Sequence, residues 1–434
     1  MKKKRILLQF TFILFALTLI CSCAGESGSP AAQSAQNPAA GGPGRSVTDW
    51  PSGVTKNVAD QTFKGYTLYT SLGGDGTVKL IDMKGNVVHT WKMPVEPGMY
   101  GFLLDNGNLV YSGRSPDGFG GGDYHMSGKG GLLIEADWKG DTVTKISAPN
   151  AHHDMEKMPN GDYLVTLWEP LPAAKRSLVK GGVAGTEFPD GTMFEEIVAE
   201  FNPQGKMVWS WKASDHMSFD DFPICPENDR LEWLHVNSVR YLPADNPITH
   251  TESIMCSFRH VSSCVIFEKS TGKIQWRYGG YLKNELGRLG AQHDFQLIKK
   301  GLPGEGHILI FDNGMNLPSV PASTMYWGIA HSRILEIDPE SKKVVWSYEH
   351  KDVDWDFPGV PPKWKFNSPY IAGAQRLPNG NTLICEGGTG RIFEVNRDKD
   401  IVWEFINPDR KAVFRAYRYA PNFPGFAGKG LPPM

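Results

Sequence analysis

Four short strings carry the residues most capable of chemistry. They are Asn150-Ala151-His152-His153-Asp154, Leu234-His235-Val236-Asn237, Phe258-Arg259-His260 and Gln292-His293-Asp294. A neutral imidazole can attack an electrophile or carry a proton, and a guanidinium clamps an oxyanion through fixed donors. The same histidines could instead ligate a metal, with Asp154 and Asp294 orienting their neighbours. Spacing does not choose between a metal and a sulfate or phosphate group. Arg259 next to imidazoles favours the anion, because a nearby guanidinium disfavours cationic histidine. No metal and no cofactor are therefore expected.

Three of these strings hold equivalent places in a repeat, and Arg259-His260 lies on the next strand of the His235 unit. Four units align on the apolar residue that precedes a hairpin: Met158, Leu242, Ile298 and Leu377. Five residues before each lie His153, Asn237, His293 and Ala372. His235 lies two residues before Asn237, so a strand would put both on one face. His153, His235, Asn237 and His293 are thus expected to converge at one mouth of a channel. Histidine at repeated equivalent positions is a poor choice for packing alone.

The positioning elements are themselves periodic. Outer phrases end at Trp91, Ile146, Trp209, Trp276, Trp346 and Trp403. Trp91 to Trp403 spans 312 residues, or six units spaced by about 62. Asn-Gly pairs at 106–107, 160–161 and 379–380 sit between alternating apolar runs. Such pairs favour tight hairpins with both central residues at positive φ. Each unit therefore reads as four antiparallel strands, and the whole as an all-β, six-bladed β-propeller. The repeated Trp would pack between blades. The segment around 63–70 or that at 412–420 could close the ring. No long stretch has apolar positions at helical period.

Composition agrees. Of 434 residues 48 are Gly, 40% are hydrophobic and 21% are charged. That is enough apolar material for one large core and too little charge for an extended disordered chain. Net charge is −2 with no dominant basic run, so nucleic acid is not an expected partner.

The N-terminus reads as an export signal. Lys2 to Arg5 precede an apolar run to Ile20, then Cys21-Ser22-Cys23-Ala24. A small residue before cysteine resembles a lipoprotein processing site, with Cys23 as the lipid anchor. The run is short for a membrane span. Residues 1–22 would be the signal, 23–47 an Ala/Gly/Ser/Gln/Pro tether, and 48–434 the propeller. Removing the signal makes the net charge −6. The expected location is the periplasmic side of a bacterial envelope, at the outer membrane. Export permits disulfides. Cys225, Cys256, Cys264 and Cys385 are available, and Cys256 and Cys264 are close enough in sequence for a local bridge.

Taken together, the strings resemble the bacterial arylsulfotransferase family, which is independent of nucleotide sulfate donors. The resemblance rests on His152-His153-Asp154, Trp233-Leu234-His235-Val236-Asn237-Ser238, Ser257-Phe258-Arg259-His260, Gln292-His293-Asp294 and Phe311-Asp312-Asn313-Gly314. It implies six blades and transfer of a sulfuryl group from a phenolic sulfate ester to a phenol. His293 matches the nucleophile that becomes sulfohistidine in a ping-pong cycle. His235 and Arg259 match the groups that stabilise sulfuryl oxygens. The doublet His152-His153 matches the remaining histidine, and repeat alignment prefers His153, for proton transfer. Asn237, Tyr326 and Trp355 are expected to contact substrate. No N-terminal β-domain is apparent, so the expected state is a monomer or weak oligomer. Two other readings remain: a sulfate or phosphate ester hydrolase using the same cluster with water as acceptor, and a non-catalytic binding propeller of the envelope, which would not need His153, His235, Arg259 and His293 to converge.

Overall fold

The computed structural model describes residues 51–116, 126–280, 287–315, 332–349 and 366–434. Twenty-five strands fall in six sheets among these residues. Strand β1 (Gly53–Asn57) is followed by β2 (Tyr66–Thr70), β3 (Thr77–Ile81) and β4 (Val87–Lys92). Blade two holds β5 (Pro97–Leu103), β6 (Leu109–Arg114), β7 (Gly131–Ala136) and β8 (Thr142–Ser147). Blade three holds β9 (Ala151–Lys157), β10 (Tyr163–Pro170), β11 (Phe194–Phe201) and β12 (Met207–Lys212). Blade four holds β13 (Val236–Leu242), β14 (Ser253–Phe258), β15 (Ser263–Glu268) and β16 (Ile274–Gly279). Blade five holds β17 (His293–Leu297), β18 (Ile308–Asp312), β19 (Arg333–Ile337) and β20 (Val344–Tyr348). Blade six holds β21 (Gly373–Arg376), β22 (Thr382–Glu386), β23 (Arg391–Val395) and β24 (Ile401–Ile406), with β1 added outside β24.

Blade one closes the ring from both chain ends. Its innermost strand is β25 (Tyr417–Tyr419), which pairs with β2, so Tyr66 faces Tyr419 and Leu68 faces Tyr417. Both expected closing segments therefore meet in one blade. The all-β, six-bladed propeller of antiparallel four-stranded blades is what the repeat predicted.

A sheet with two apolar faces must be covered on both, and each face here meets its neighbour in the ring. One core cluster joins Leu164 and Val198 of blade three to Ile254 and Phe258 of blade four. Another joins Met255 and Ile266 of blade four to Ile308 and Ile310 of blade five. The outer tryptophans tie successive blades together. Indole N–H groups of Trp91, Trp211, Trp276, Trp346 and Trp403 donate to carbonyls of Asp137, Gly272, Pro339, Arg397 and Met83, at 2.8–3.3 Å. Each acceptor lies at the outer hairpin of the next blade, and Met83 links blade six back to blade one. Burying one indole removes about 200 Å² from water, worth about 5 kcal/mol of transfer energy.

Two details differ from the sequence reading. Register puts Trp209, Trp276, Trp346 and Trp403 level with His89, whereas Trp91 and Ile146 lie two residues further, level with Trp211. The repeat thus uses two alternate positions of one strand face, and Trp211 rather than Trp209 makes the indole hydrogen bond to the next blade. The Asn-Gly hairpins also use another turn. Gly107, Gly161 and Gly380 have φ near +90°, but the preceding Asn residues do not have positive φ. The glycine N–H bonds back to Leu104, Met158 or Leu377, while Asn Oδ1 accepts the amide two residues on. This is a three-residue loop with a glycine bulge.

The expected disulfide is absent. Cys225, Cys256, Cys264 and Cys385 are buried free thiols. Ser257 pairs directly with Cys264, which places Cys256 one residue off register and on the opposite face. Cys256 packs toward blade three and Cys264 toward blade five. The sheet itself separates their sulfurs. Cys23, Tyr326 and Trp355 lie outside the described residues, as do the signal and the tether. Among the described residues no helix is long and apolar enough to cross a membrane.

Candidate active site

All inner strands run from the same end of the ring, and the histidines mark where three of them begin. His153 lies in β9, His235 just before β13, and His293 opens β17. Each inner-strand start is bulged: His153 and Asp154 lie between paired residues, as does Asn237, and so do Asp294 and Phe295. His153, His235 and Asp294 adopt left-handed φ of 42°, 56° and 50°. Non-glycine residues there cost about 1 kcal/mol or more each. The bulges turn the side chains toward the axis instead of into the sheet faces.

The structure brings His153, His235, His293 and Arg259 together. The His153 and His235 rings are 4.5 Å apart between centroids. His153 and His293 each approach Phe414 at 6.3 Å. Arg259 is close enough that its charge lowers the pKa of His153, His235 and His293. Gly128 lies flat on the His153 ring, where a Cβ would meet Cε1 at 2.1 Å. His152 points behind this group. It stacks on Trp168 at 4.1 Å and its Nδ1 meets His153 Nδ1 at 2.8 Å. Asn237 donates to the Gln292 carbonyl at 2.8 Å, bracing the strand that presents His293.

His293 has a defined orientation. Its Nδ1 is 2.7 Å from Asn313 Oδ1, while Asn313 Nδ2 donates to the Ser368 carbonyl at 2.6 Å. The second bond fixes Asn313 with its oxygen toward the ring. Oxygen only accepts, so the proton resides on Nδ1 and the lone pair on Nε2. Burial, opposed in part by the Asn313 bond, pulls the His293 pKa down to about 3. Burial also holds His152, His153, His235 and His260 well below the usual histidine range. All five are neutral at neutral pH.

This has a consequence for stability. Below about pH 6.5 the unfolded chain protonates these histidines and the folded chain does not. Stability is therefore full above about pH 6.5 and falls as pH drops toward 3, the value His293 reaches. Each histidine contributes about 1.4 kcal/mol per pH unit in that window. Glu156, Asp162, Glu196, Glu232 and Glu386, whose pKa values are raised chiefly by burial, oppose the trend, and His89, lowered by burial, joins it. Six histidines against five carboxyl groups leave a net loss. The melting temperature is expected to drop between about pH 7 and pH 5; a flat or rising value would show these histidines titrating normally.

Beneath the histidines lies a ring of charges. Asp154 Oδ2 accepts from Arg240 at 2.7 Å and from the Val239 amide at 2.9 Å; its Oδ1 accepts from Arg415 at 2.8 Å and from the Tyr100 hydroxyl. Asp294 accepts from Arg240 at 3.1 Å and from the Ala374 amide at 2.9 Å, and pairs with Arg415 at 3.2 Å. Arg415, Tyr100, Asp154, Arg240, Asp294 and Ala374 come from blades one to six in turn. Asp154 and Asp294 therefore neutralise the two arginines on the axis rather than orienting the adjacent histidines. Sequence reasoning missed Arg240, Arg415, Tyr100 and Phe414 entirely.

A third group flanks His235. His260 stacks on it at 4.7 Å, and Glu232 Oε1 is 2.6 Å from its Nδ1. Glu232, His235 and His260 offer donor atoms within 4.8 Å of one another. His235 Nδ1 is already bonded to the carboxylate, and His260 Nδ1 lies 3.3 Å from the Glu232 carbonyl. Hydrogen bonds account for this arrangement.

Fold and site together define a propeller with sulfotransferase-like character, in which neutral imidazoles and a guanidinium gather at one mouth of the axis. The chain belongs to the arylsulfotransferase (ASST) family, whose model matches residues 102–408. No curated protein matches it significantly. Among solved structures it resembles a protein of unknown function from Bacteroides caccae, 11% identical with a TM-score of 0.47, covering 82% of this chain and 98% of that one. A streptogramin B lyase is 11% identical, TM-score 0.40, covering 82% of each chain. Hydrazine synthase of Kuenenia stuttgartiensis is 12% identical, TM-score 0.40, covering 75% of this chain and 71% of that one. Likeness at this level carries no functional information.

Proposed function

We propose that the protein is an aryl-sulfate sulfotransferase working through a sulfohistidine at His293. The observation that carries this reading is the neutral His293 imidazole, with Nδ1 held by Asn313 and the lone pair left on Nε2. Nε2 attacks the sulfur of a phenolic sulfate ester, the N–S bond forms, and the aryl oxide leaves. Arg259 and the neighbouring imidazoles stabilise charge on the sulfuryl oxygens. A second phenol then takes the sulfuryl group from nitrogen, restoring neutral His293.

We further propose that this occurs on the periplasmic side of the envelope, with Cys23 lipidated and small phenols as substrates.

Incubation with 4-nitrophenyl sulfate tests the reaction. Release of nitrophenol is expected to depend on added phenol and to yield phenyl sulfate. Release that ignores phenol and yields inorganic sulfate would make the protein a hydrolase instead.

A further inference from the structure

A buried carboxyl group stands directly behind one of the three clustered histidines, and the transfer as written does not use it. Glu232 precedes β13 and is 4% exposed. Its Oε1 lies 2.6 Å from His235 Nδ1, and its Oε2 accepts the Trp168 indole N–H at 2.6 Å. Glu196, in β11, accepts the His235 amide at 2.5 Å and the Leu234 amide at 3.2 Å, which holds the left-handed backbone that aims the ring. Among the described residues, His235 alone of the three has a carboxyl group at Nδ1: His153 meets the His152 imidazole there, and His293 meets the Asn313 amide oxygen. Burial pushes Glu232 up to about 7, so above that pH it is ionised. A carboxylate only accepts, so the contact puts a proton on His235 Nδ1 and leaves the lone pair on Nε2. Arg259, Asp229, Glu196, His260, His152 and His293 are the other charged and titratable groups around the pair.

We infer that Glu232 makes His235 the base of the acceptor half-reaction, by holding its proton on Nδ1 and leaving Nε2 free for the phenol. This rests on the sulfotransferase reading. The incoming phenol gives its O–H proton to His235 Nε2 as its oxygen bonds to sulfur and the N–S bond to His293 breaks. His293 returns neutral, with its own proton still on Nδ1. His235 becomes an imidazolium beside the Glu232 carboxylate, and the opposite charge favours that form. The imidazolium then passes the proton to water, which has supplied one to the aryl oxide of the first half. Protons therefore balance over the cycle. The resemblance gives proton transfer to His153; the carboxylate moves it to His235. Glu232 acts through His235 and is a positioning residue, not a catalytic one.

Glu232→Gln is the test, because Trp168 fixes which way the amide lies. The indole N–H needs an acceptor, so the amide oxygen replaces Oε2 and the NH₂ group faces His235 Nδ1. That donor forces the ring proton onto Nε2 and removes the base while keeping the packing. Nitrogen-15 NMR of the full chain with labelled histidine, at about pH 9, is expected to show His235 protonated on Nδ1 before the change and on Nε2 after it. At that pH phenol keeps its proton, as a phenolic group does below about 10, whereas the more acidic 4-cyanophenol is largely its anion. Both are offered together as acceptors, with 4-nitrophenyl sulfate as donor. They compete for one sulfohistidine, so the ratio of phenyl sulfate to 4-cyanophenyl sulfate reads the second half alone, however much of the variant folds. The ratio is expected to fall by about 10-fold or more in Glu232→Gln, the loss of a positioned base. An unchanged ratio, or His235 protonated on Nε2 in the unmutated chain, overturns the proposal. Should the variant fail to fold, the unmutated spectrum decides. If the unmutated chain makes neither sulfate ester, the sulfotransferase reading falls and takes this role with it. If it makes both and the ratio holds, only the role of Glu232 falls.

Discussion

His293→Ala is expected to lower sulfuryl transfer by about 10⁴-fold or more, the scale seen when a covalent nucleophile is deleted. The unmutated chain is expected to gain the mass of one SO₃ unit from a phenolic sulfate, and the variant is expected not to. Both effects have one origin. Alanine removes the Nε2 lone pair, and the other imidazoles have different neighbours on their nitrogens. The fold should survive, because His293 opens its strand and its backbone still pairs with Phe311. Mass spectrometry after a short incubation reads the label, and a melting curve checks folding. Full-rate turnover by a folded His293→Ala chain would move the nucleophile to another residue.

Asp154→Ala is expected to cost about 3–5 kcal/mol of folding stability, the scale for breaking one partner out of a buried ion pair. Asp154 is the acceptor shared by Arg240, Arg415 and Tyr100. Arg415 is fully buried and would retain only Asp294 as a counter-charge. Asp154→Asn should fall between the two, since it restores an acceptor without the charge. Denaturant titration reads the loss; a change below about 1 kcal/mol would mean that the ring relaxes around the gap.

Much of this was legible in the sequence because it repeats. Four strands per unit followed from alternating apolar runs and glycine turns. His153, Asn237 and His293 stood out by recurring at one place in that unit, and His235 through its spacing from Asn237. What does not recur stayed hidden. Arg415 and Phe414 come from the C-terminal segment, outside the aligned units, and meet the histidines only once the ring closes. Arg240 and Tyr100 look like ordinary strand residues until their partners are known. A signal for Glu196 was present but unread: β11 is wholly buried yet contains Glu195, Glu196 and Glu200. Charges in a covered strand require partners. The disulfide expectation failed for a related reason. Sequence proximity of Cys256 and Cys264 says nothing of sheet face until register is known.

The charged ring on the axis also governs traffic. Side chains from five blades and the Ala374 amide of the sixth fill the centre beneath the histidines, and Asp154, Asp294 and Arg415 are closed to solvent. On the proposed sulfotransferase reading, this filled centre would close the site toward the far end of the ring. A spent phenol would then leave by the mouth where the histidines gather before its successor comes in. Product phenol and acceptor phenol would contend for that mouth, and the transfer would run backward whenever the first fails to clear it.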